Sequence, residues 1–185
     1  MKKLFTLFTV AATMSIVSPV VAQTAKETAS AVNESLPNGA SSLSESYGLW
    51  TVTCGVREGK KHCSMVRQEM NAQNQPVVTM EISANAAGDL SGVLVVPFGV
   101  LVTKPVRFQV DDGNSVINSS VRTCVPGGCI VPVAFDKTTV AALRAGKRLK
   151  LFVTSAANGE PTIDNMFVQL NGFSNALNRL SALQK

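Results

Sequence analysis

The sequence predicts a mainly β fold, an antiparallel sandwich, and three observations carry that prediction. Apolar residues recur at every second position in several separate stretches, those stretches are bounded by Gly, Pro, Asn or Asp, and no regular helical pattern alternates with them. About eight short strands joined by turns suit two packed sheets of immunoglobulin-like kind, and not βαβ units. With 45% hydrophobic residues in a chain of 185, a core can be filled, which excludes a wholly disordered chain and a core-less miniprotein.

The elements follow in chain order. Lys2 and Lys3 precede the apolar or hydroxyl run Leu4 to Val17, and Pro19 breaks that run before Val20, Val21 and Ala22. This order reads as a signal peptide over residues 1–22, cut after Ala22. Its apolar run of about 14 residues is shorter than the roughly 20 needed to cross a bilayer, and no comparable run follows, so no transmembrane segment is expected after cleavage. Cleavage removes two lysines and no acid, leaving fifteen cations against twelve acids, a formal charge of +3 in place of +5. That excess is too small to point to nucleic acid.

Residues 23–46 are rich in Ala, Ser, Asn and Glu, lack a bulky aromatic and contain Pro37, Asn38 and Gly39. They read as a disordered linker, since little apolar surface is available to offset the entropy of ordering it. A short helix over Ala25 to Glu34 is the alternative, because Ala, Lys and Glu favour helix locally. The folded domain then spans residues 47–185.

Within it, Trp50, Val52 and Cys54 fall on one face of a strand. Val78, Met80 and Ile82 do so on another, and Val106, Phe108 and Val110 on a third. Leu90 to Phe98, Ile130 to Ala134, Leu149 to Val153 and Ile163 to Leu170 complete the strand candidates. Asp111, Asp112, Gly113 and Asn114 read as a hairpin turn in which Gly and Asn take the positive φ. Asp136 can cap a short inserted helix that ends near Ala145 with Gly146 as its stop. Over Ser174 to Leu183 the residues Leu177, Leu180 and Leu183, with Phe173, make the apolar face of a C-terminal amphipathic helix.

Four cysteines, Cys54, Cys63, Cys124 and Cys129, suit disulfides in an exported chain, because C-x8-C and C-x4-C are not zinc-knuckle spacings. Three pairings are possible. Cys54 with Cys63 and Cys124 with Cys129 are favoured, since each pair flanks one turn and antiparallel neighbours bring Cα atoms into bridging range. A redox role is disfavoured: Cys124 and Cys129 enclose four residues, two of them glycines, with no helix to lower a thiol pKa.

The chain has one histidine, His62, which excludes a multi-histidine metal site and leaves a single imidazole base. His62 lies in Arg57–His62, read as a charged tip between the first two cysteines, where no buried acid or G-x-S-x-G serine accompanies it. Pro126, Gly127 and Gly128 lack the strand-to-helix context of a phosphate loop and read as a turn. No catalytic, cofactor or metal residue is therefore expected. Arg57, Lys60, Lys61 and His62 form a positive patch that a disulfide at its base would pre-order for an anionic partner. A second basic cluster, Arg144, Lys147, Arg148 and Lys150, reads as a solvent face where helix meets strand.

The ordered set Trp50-x-Val52-x-Cys54, Cys63-x-Met65, Pro97-x-Gly99, Cys124-x-Pro126-x-Gly128-Cys129 and Leu170-x-Gly172-Phe173-x-x-Ala176-Leu177 resembles the invasion-associated locus B family over about residues 47–180. Pro105 and Asn171 depart from its pattern where glycine or a small residue is usual. The resemblance implies an exported bacterial β-sandwich that assists penetration of host red cells, placed in the periplasm, at the outer membrane or cell surface, or secreted, with no catalytic residues to carry over. Its partner would be a host-cell surface or envelope component. A periplasmic chaperone-like or envelope-stress factor is the other binding class, and an uncovered, uncharged edge strand would favour it. A hydrolase would instead need a pocket holding His62 beside a serine or carboxylate.

Overall fold

The computed structural model describes residues 36–85, 87–113, 116–157 and 166–184, so the expected leader, the first part of the linker and the alternative helix at 25–34 lie outside the described residues. The architecture is two antiparallel sheets and two helices over one core. The larger sheet contains β1 (Ser42–Tyr47), β2 (Trp50–Arg57), β3 (Lys60–Met70), β4 (Pro76–Ala84) and β5 (Leu90–Val96) as a meander, extended by β9 (Gly128–Phe135) and β8 (Thr123–Val125). The smaller sheet runs β11 (Met166–Gln169), β10 (Arg148–Phe152), β6 (Val106–Val110) and β7 (Val116–Ser119). The expected sandwich is present, with seven strands beside four where an immunoglobulin domain divides about seven between both sheets.

Period two explains the buried faces. Trp50, Val52 and Cys54 of β2 face the core, as do Val78, Met80 and Ile82 of β4 and Val106 and Phe108 of β6. β5 stops at Val96, so Pro97 and Phe98 belong to the connection that follows, and the strand expected over 163–170 is observed over Met166–Gln169.

Helix α1 (Lys137–Ala145) starts where Asp136 Oδ1 accepts the Thr139 N–H at 2.8 Å, and Gly146 follows its last residue. Helix α2 (Phe173–Leu183) buries Phe173, Ala176, Leu177, Leu180 and Leu183, and it packs beside the smaller sheet against β1 to β4. Its entrance is fixed by Gly172, at φ 91°, where a Cβ would run into the Tyr47 carbonyl. The ring of Phe173 meets Trp50 edge-on at 5.2 Å between centroids.

Three expectations are corrected. The linker does not extend to residue 46: Leu36 is buried, Pro37–Gly39 form a 3-10 turn, and Ser42–Tyr47 are strand β1. What orders this polar segment comes from afar. Every β1 residue is in register with β2, and Arg179 of α2 donates to both carboxylate oxygens of Glu45 at 2.6 and 2.8 Å. Tyr47 adds a third bond to Glu45, and the Arg179 bonds, followed by that of Tyr47, hold the Glu45 carboxyl below its usual range.

In the turn after β6, Asp111 takes the positive φ, 47°, and Gly113 does not; Asn114 is outside the described residues. The Asp111 carboxylate instead accepts the backbone N–H groups of Lys147 and Arg148, joining this turn to the segment between α1 and β10. Third, His62 is not in a loop, as described below.

One buried charge ties the layers together. Glu69 of β3 is 7% exposed and accepts from Arg67 Nε and Nη2 at 2.8 and 2.6 Å. It also accepts the Gln169 N–H of β11 at 2.6 Å, while the Gln169 carbonyl accepts Trp50 Nε1 at 3.0 Å. Burial pushes the Glu69 pKa up, but the bonds from Arg67 and Gln169 outweigh it and hold the carboxyl below its usual value.

Candidate functional site at the β2–β3 hairpin

β2 and β3 pair over seven rungs from Thr51 opposite Val66 to Arg57 opposite Lys60, so the turn consists of Glu58 and Gly59. Both take positive φ, 53° and 73°, which a two-residue hairpin connection of this hand requires. His62 therefore sits on strand β3 opposite Gly55, and the tip is shorter than the sequence suggested. Alternation along the strands puts Arg57, Lys60 and His62 on one face and Lys61 on the other, beside Val56 and the cystine. The positive patch thus wraps the end of the hairpin.

Cys54 faces Cys63 across this ladder and is bonded to it, with Cα atoms 4.1 Å apart. Cys124 and Cys129 are bonded across the β8–β9 hairpin, 3.9 Å apart, and no described cysteine is free. These are the two local pairs. The first closes the hairpin three rungs from its tip, so the cations are carried on a ribbon that cannot fray far.

An open cleft of about 700 Å³ lies along this hairpin, and Arg57, Lys61, His62, Ser64, Glu81 and Ser83 line part of it. The sequence did not group the last three with the tip. The signal was nevertheless there, since Ser64, Glu81 and Ser83 alternate with the buried Met65, Met80 and Ile82 and so face away from the core.

The cleft brings an imidazole near serines and a carboxylate without joining them. The Ser64 and Thr53 hydroxyls share a hydrogen bond at 3.3 Å, and the Ser83 hydroxyl donates to the Cys63 carbonyl at 3.2 Å. Among the described residues no hydrogen bond connects His62 to Ser64, Ser83 or Glu81, so no base is held against a nucleophile. Among them, too, no cluster of His, Cys, Asp or Glu is placed to hold a metal ion, and no helix is long and apolar enough to cross a membrane.

Three of the four side chains of the second basic cluster are engaged within the fold. Arg144 donates to Asn178 Oδ1 at 2.9 Å, the Arg148 guanidinium lies 4.8 Å from the Phe167 ring centre, and Lys150 pairs with Asp112 at 2.6 Å. Arg57, Lys60, Lys61 and His62 form no such bonds among the described residues, which leaves the hairpin cations for an external anion.

Residues 50–181 match the family described as invasion associated locus B (IalB) protein. The chain belongs to that family. Invasion protein B of Bartonella bacilliformis is 56% identical over 186 residues, covering all of both chains. An invasion protein B homolog of Brucella abortus (strain 2308) is 38% identical over 163 residues, 88% of this chain and 92% of the relative. The crystal structure of invasion associated protein B from Bartonella henselae superposes with a TM-score of 0.74 at 65% identity, covering 77% of this chain and 97% of that one. The IalB segment runs from the first residue of β2 to the last turn of α2, so the β2–β3 hairpin, both cystines and the Trp50–Phe173 contact all fall inside it.

Proposed function

We propose that this IalB protein is an exported, non-enzymatic contact module that assists invasion of host erythrocytes, and that the β2–β3 hairpin touches an anionic component of the host surface or the bacterial envelope. The cystine-closed hairpin carries the proposal. Four cationic or titratable side chains project from a ribbon whose backbone is already ordered, so little entropy is lost when an acidic surface is met. Family membership and the names of the relatives support the invasion role. Residues 1–22 act as the cleaved leader, and the domain works in the periplasm, at the outer membrane or beyond it.

A contact module is favoured over a strand-capturing chaperone by the sheet edges. β1 carries the clamped Glu45, β8 has three residues, and the uncharged edges β7 and β11 have four each, too short to template a long client segment. The experiment compares the wild-type strain, a deletion strain and a strain carrying Lys60→Glu with Lys61→Glu, scoring erythrocyte binding and invasion. Both altered strains should lose invasion, and the double variant should lose binding at an unchanged circular dichroism spectrum. Wild-type invasion by the deletion strain would remove the invasion role. Wild-type binding by the double variant would remove the hairpin from it.

A further inference from the structure

Four of the six large apolar side chains exposed among the described residues, Met70, Phe98, Val102 and Val125, are gathered at the end of the larger sheet opposite the basic hairpin, while Val116 stands apart on β7. Register places them in one row. Met70 at the end of β3 pairs with Pro76, β4 runs antiparallel to β5 with Thr79 opposite Val95, and Phe98 follows two residues after Val96. Val96 is opposite Cys129 of β9, and Val125 is opposite Gly128 at the tip of the β8–β9 hairpin, so Phe98 and Val125 leave the same end of the sheet. The β5–β6 connection adds Val102. These four side chains are 40% to 59% exposed, Phe98 the most.

The described segments that carry them bring charge of one sign. The segments 70–76, 97–105 and 120–128 hold Lys104 and Arg122, both exposed, and no acid. Apolar tips beside cations and without carboxylates complement a lipid surface that is apolar within and anionic at its face. A protein partner rich in cations would be repelled by Lys104 and Arg122.

We infer that this end of the domain docks onto anionic lipid bilayers, with Phe98 and Val125 entering the headgroup boundary and Lys104 and Arg122 pairing with lipid phosphates. β2 runs from this end to the hairpin tip, about 25 Å at strand rise, so a docked domain presents Arg57, Lys60, Lys61 and His62 away from the bilayer. The inference is independent of what the hairpin binds.

The test is sedimentation of the processed protein, purified from the bacterium, with vesicles of equal parts phosphatidylglycerol and phosphatidylcholine or of phosphatidylcholine alone. Wild-type protein should pellet with the anionic vesicles only. Phe98→Ser with Val125→Ser should weaken that association about tenfold, Lys104→Glu with Arg122→Glu should abolish it, and Lys60→Glu with Lys61→Glu should leave it in place. Each variant is first required to match the wild-type circular dichroism spectrum. Absence of pelleting, equal pelleting with neutral vesicles, or loss of pelleting only in the Lys60 and Lys61 variant would each overturn the inference. A wild-type dimer that Phe98→Ser with Val125→Ser converts to monomer, without vesicle binding, would assign the patch to a second copy and overturn it as well.

Discussion

Replacing Glu69 with glutamine tests the view that one buried ion pair joins the two layers. The carboxylate accepts two bonds from Arg67 and two from Gln169, and the side chains of Arg67 and Glu69 are only 14% and 10% exposed. Glutamine keeps the shape but removes the charge, and it turns one acceptor into a donor that confronts an N–H. Breaking a buried pair from one side costs about 3 to 5 kcal/mol, and the small residual exposure here argues for about 3. For a domain of this size that loss lowers Tm by roughly 10 °C.

The assay is built into the molecule. Trp50 is the single tryptophan, fully buried, and its indole N–H bonds to the carbonyl of the same Gln169 whose N–H reaches Glu69, so its fluorescence reports separation of β11 from the larger sheet. Because the Glu69 pKa is lowered on folding, its contribution is complete above the unfolded value near 4.5 and is lost as pH falls through the folded value. The gap between wild type and Glu69→Gln should therefore narrow below about pH 4.5. Removing both charges, as Arg67→Met with Glu69→Met, should cost less than Glu69→Gln alone, since no uncompensated guanidinium is left behind. A Glu69→Gln protein within about 1 kcal/mol of wild type, or a double variant less stable than the single one, would refute the reasoning.

Two further outcomes are expected. Cys54→Ser with Cys63→Ser should lower stability by about 2.5 kcal/mol through the nine-residue separation it opens, with faster hydrogen exchange confined to the amides nearest the Glu58–Gly59 turn; exchange rising uniformly through the sheet would contradict a local staple. Gly172→Ala should cost at least about 3 kcal/mol or prevent folding, because the residue is left-handed and its new methyl meets the Tyr47 carbonyl; denaturant unfolding near the wild-type midpoint would show that the β1–β2 turn and the start of α2 can move apart.

What the sequence revealed depended on how far apart the deciding residues were. The strand faces of β2, β4 and β6 were legible because alternation is written in five consecutive residues. The limits of α1 were legible because Asp136 and Gly146 act on their own helix ends. The local cystines were favoured by spacing, and the spacing proved sufficient. β1 was not legible: its residues have little apolar surface, and its order comes from β2 and from Arg179, 134 positions away from Glu45.

Glu69 was likewise unremarkable as one charge in a strand, since its burial depends on Gln169 of another sheet. At the hairpin, the residue types were read correctly as a positive patch, but no strand was expected over Lys60–Met70, where β3 lies. Lys60, Lys61 and His62 are poor strand formers by type, and cross-strand pairing with β2 overrides that preference.

The clamp between Glu45 and Arg179, with Phe173 closing over Trp50, has a consequence for how the polypeptide reaches its native form. Until α2 is delivered, the tryptophan lacks its lid and the first strand lacks its anchor. Assembly must therefore wait for α2, and a protein truncated before it would offer proteases an unsealed interior.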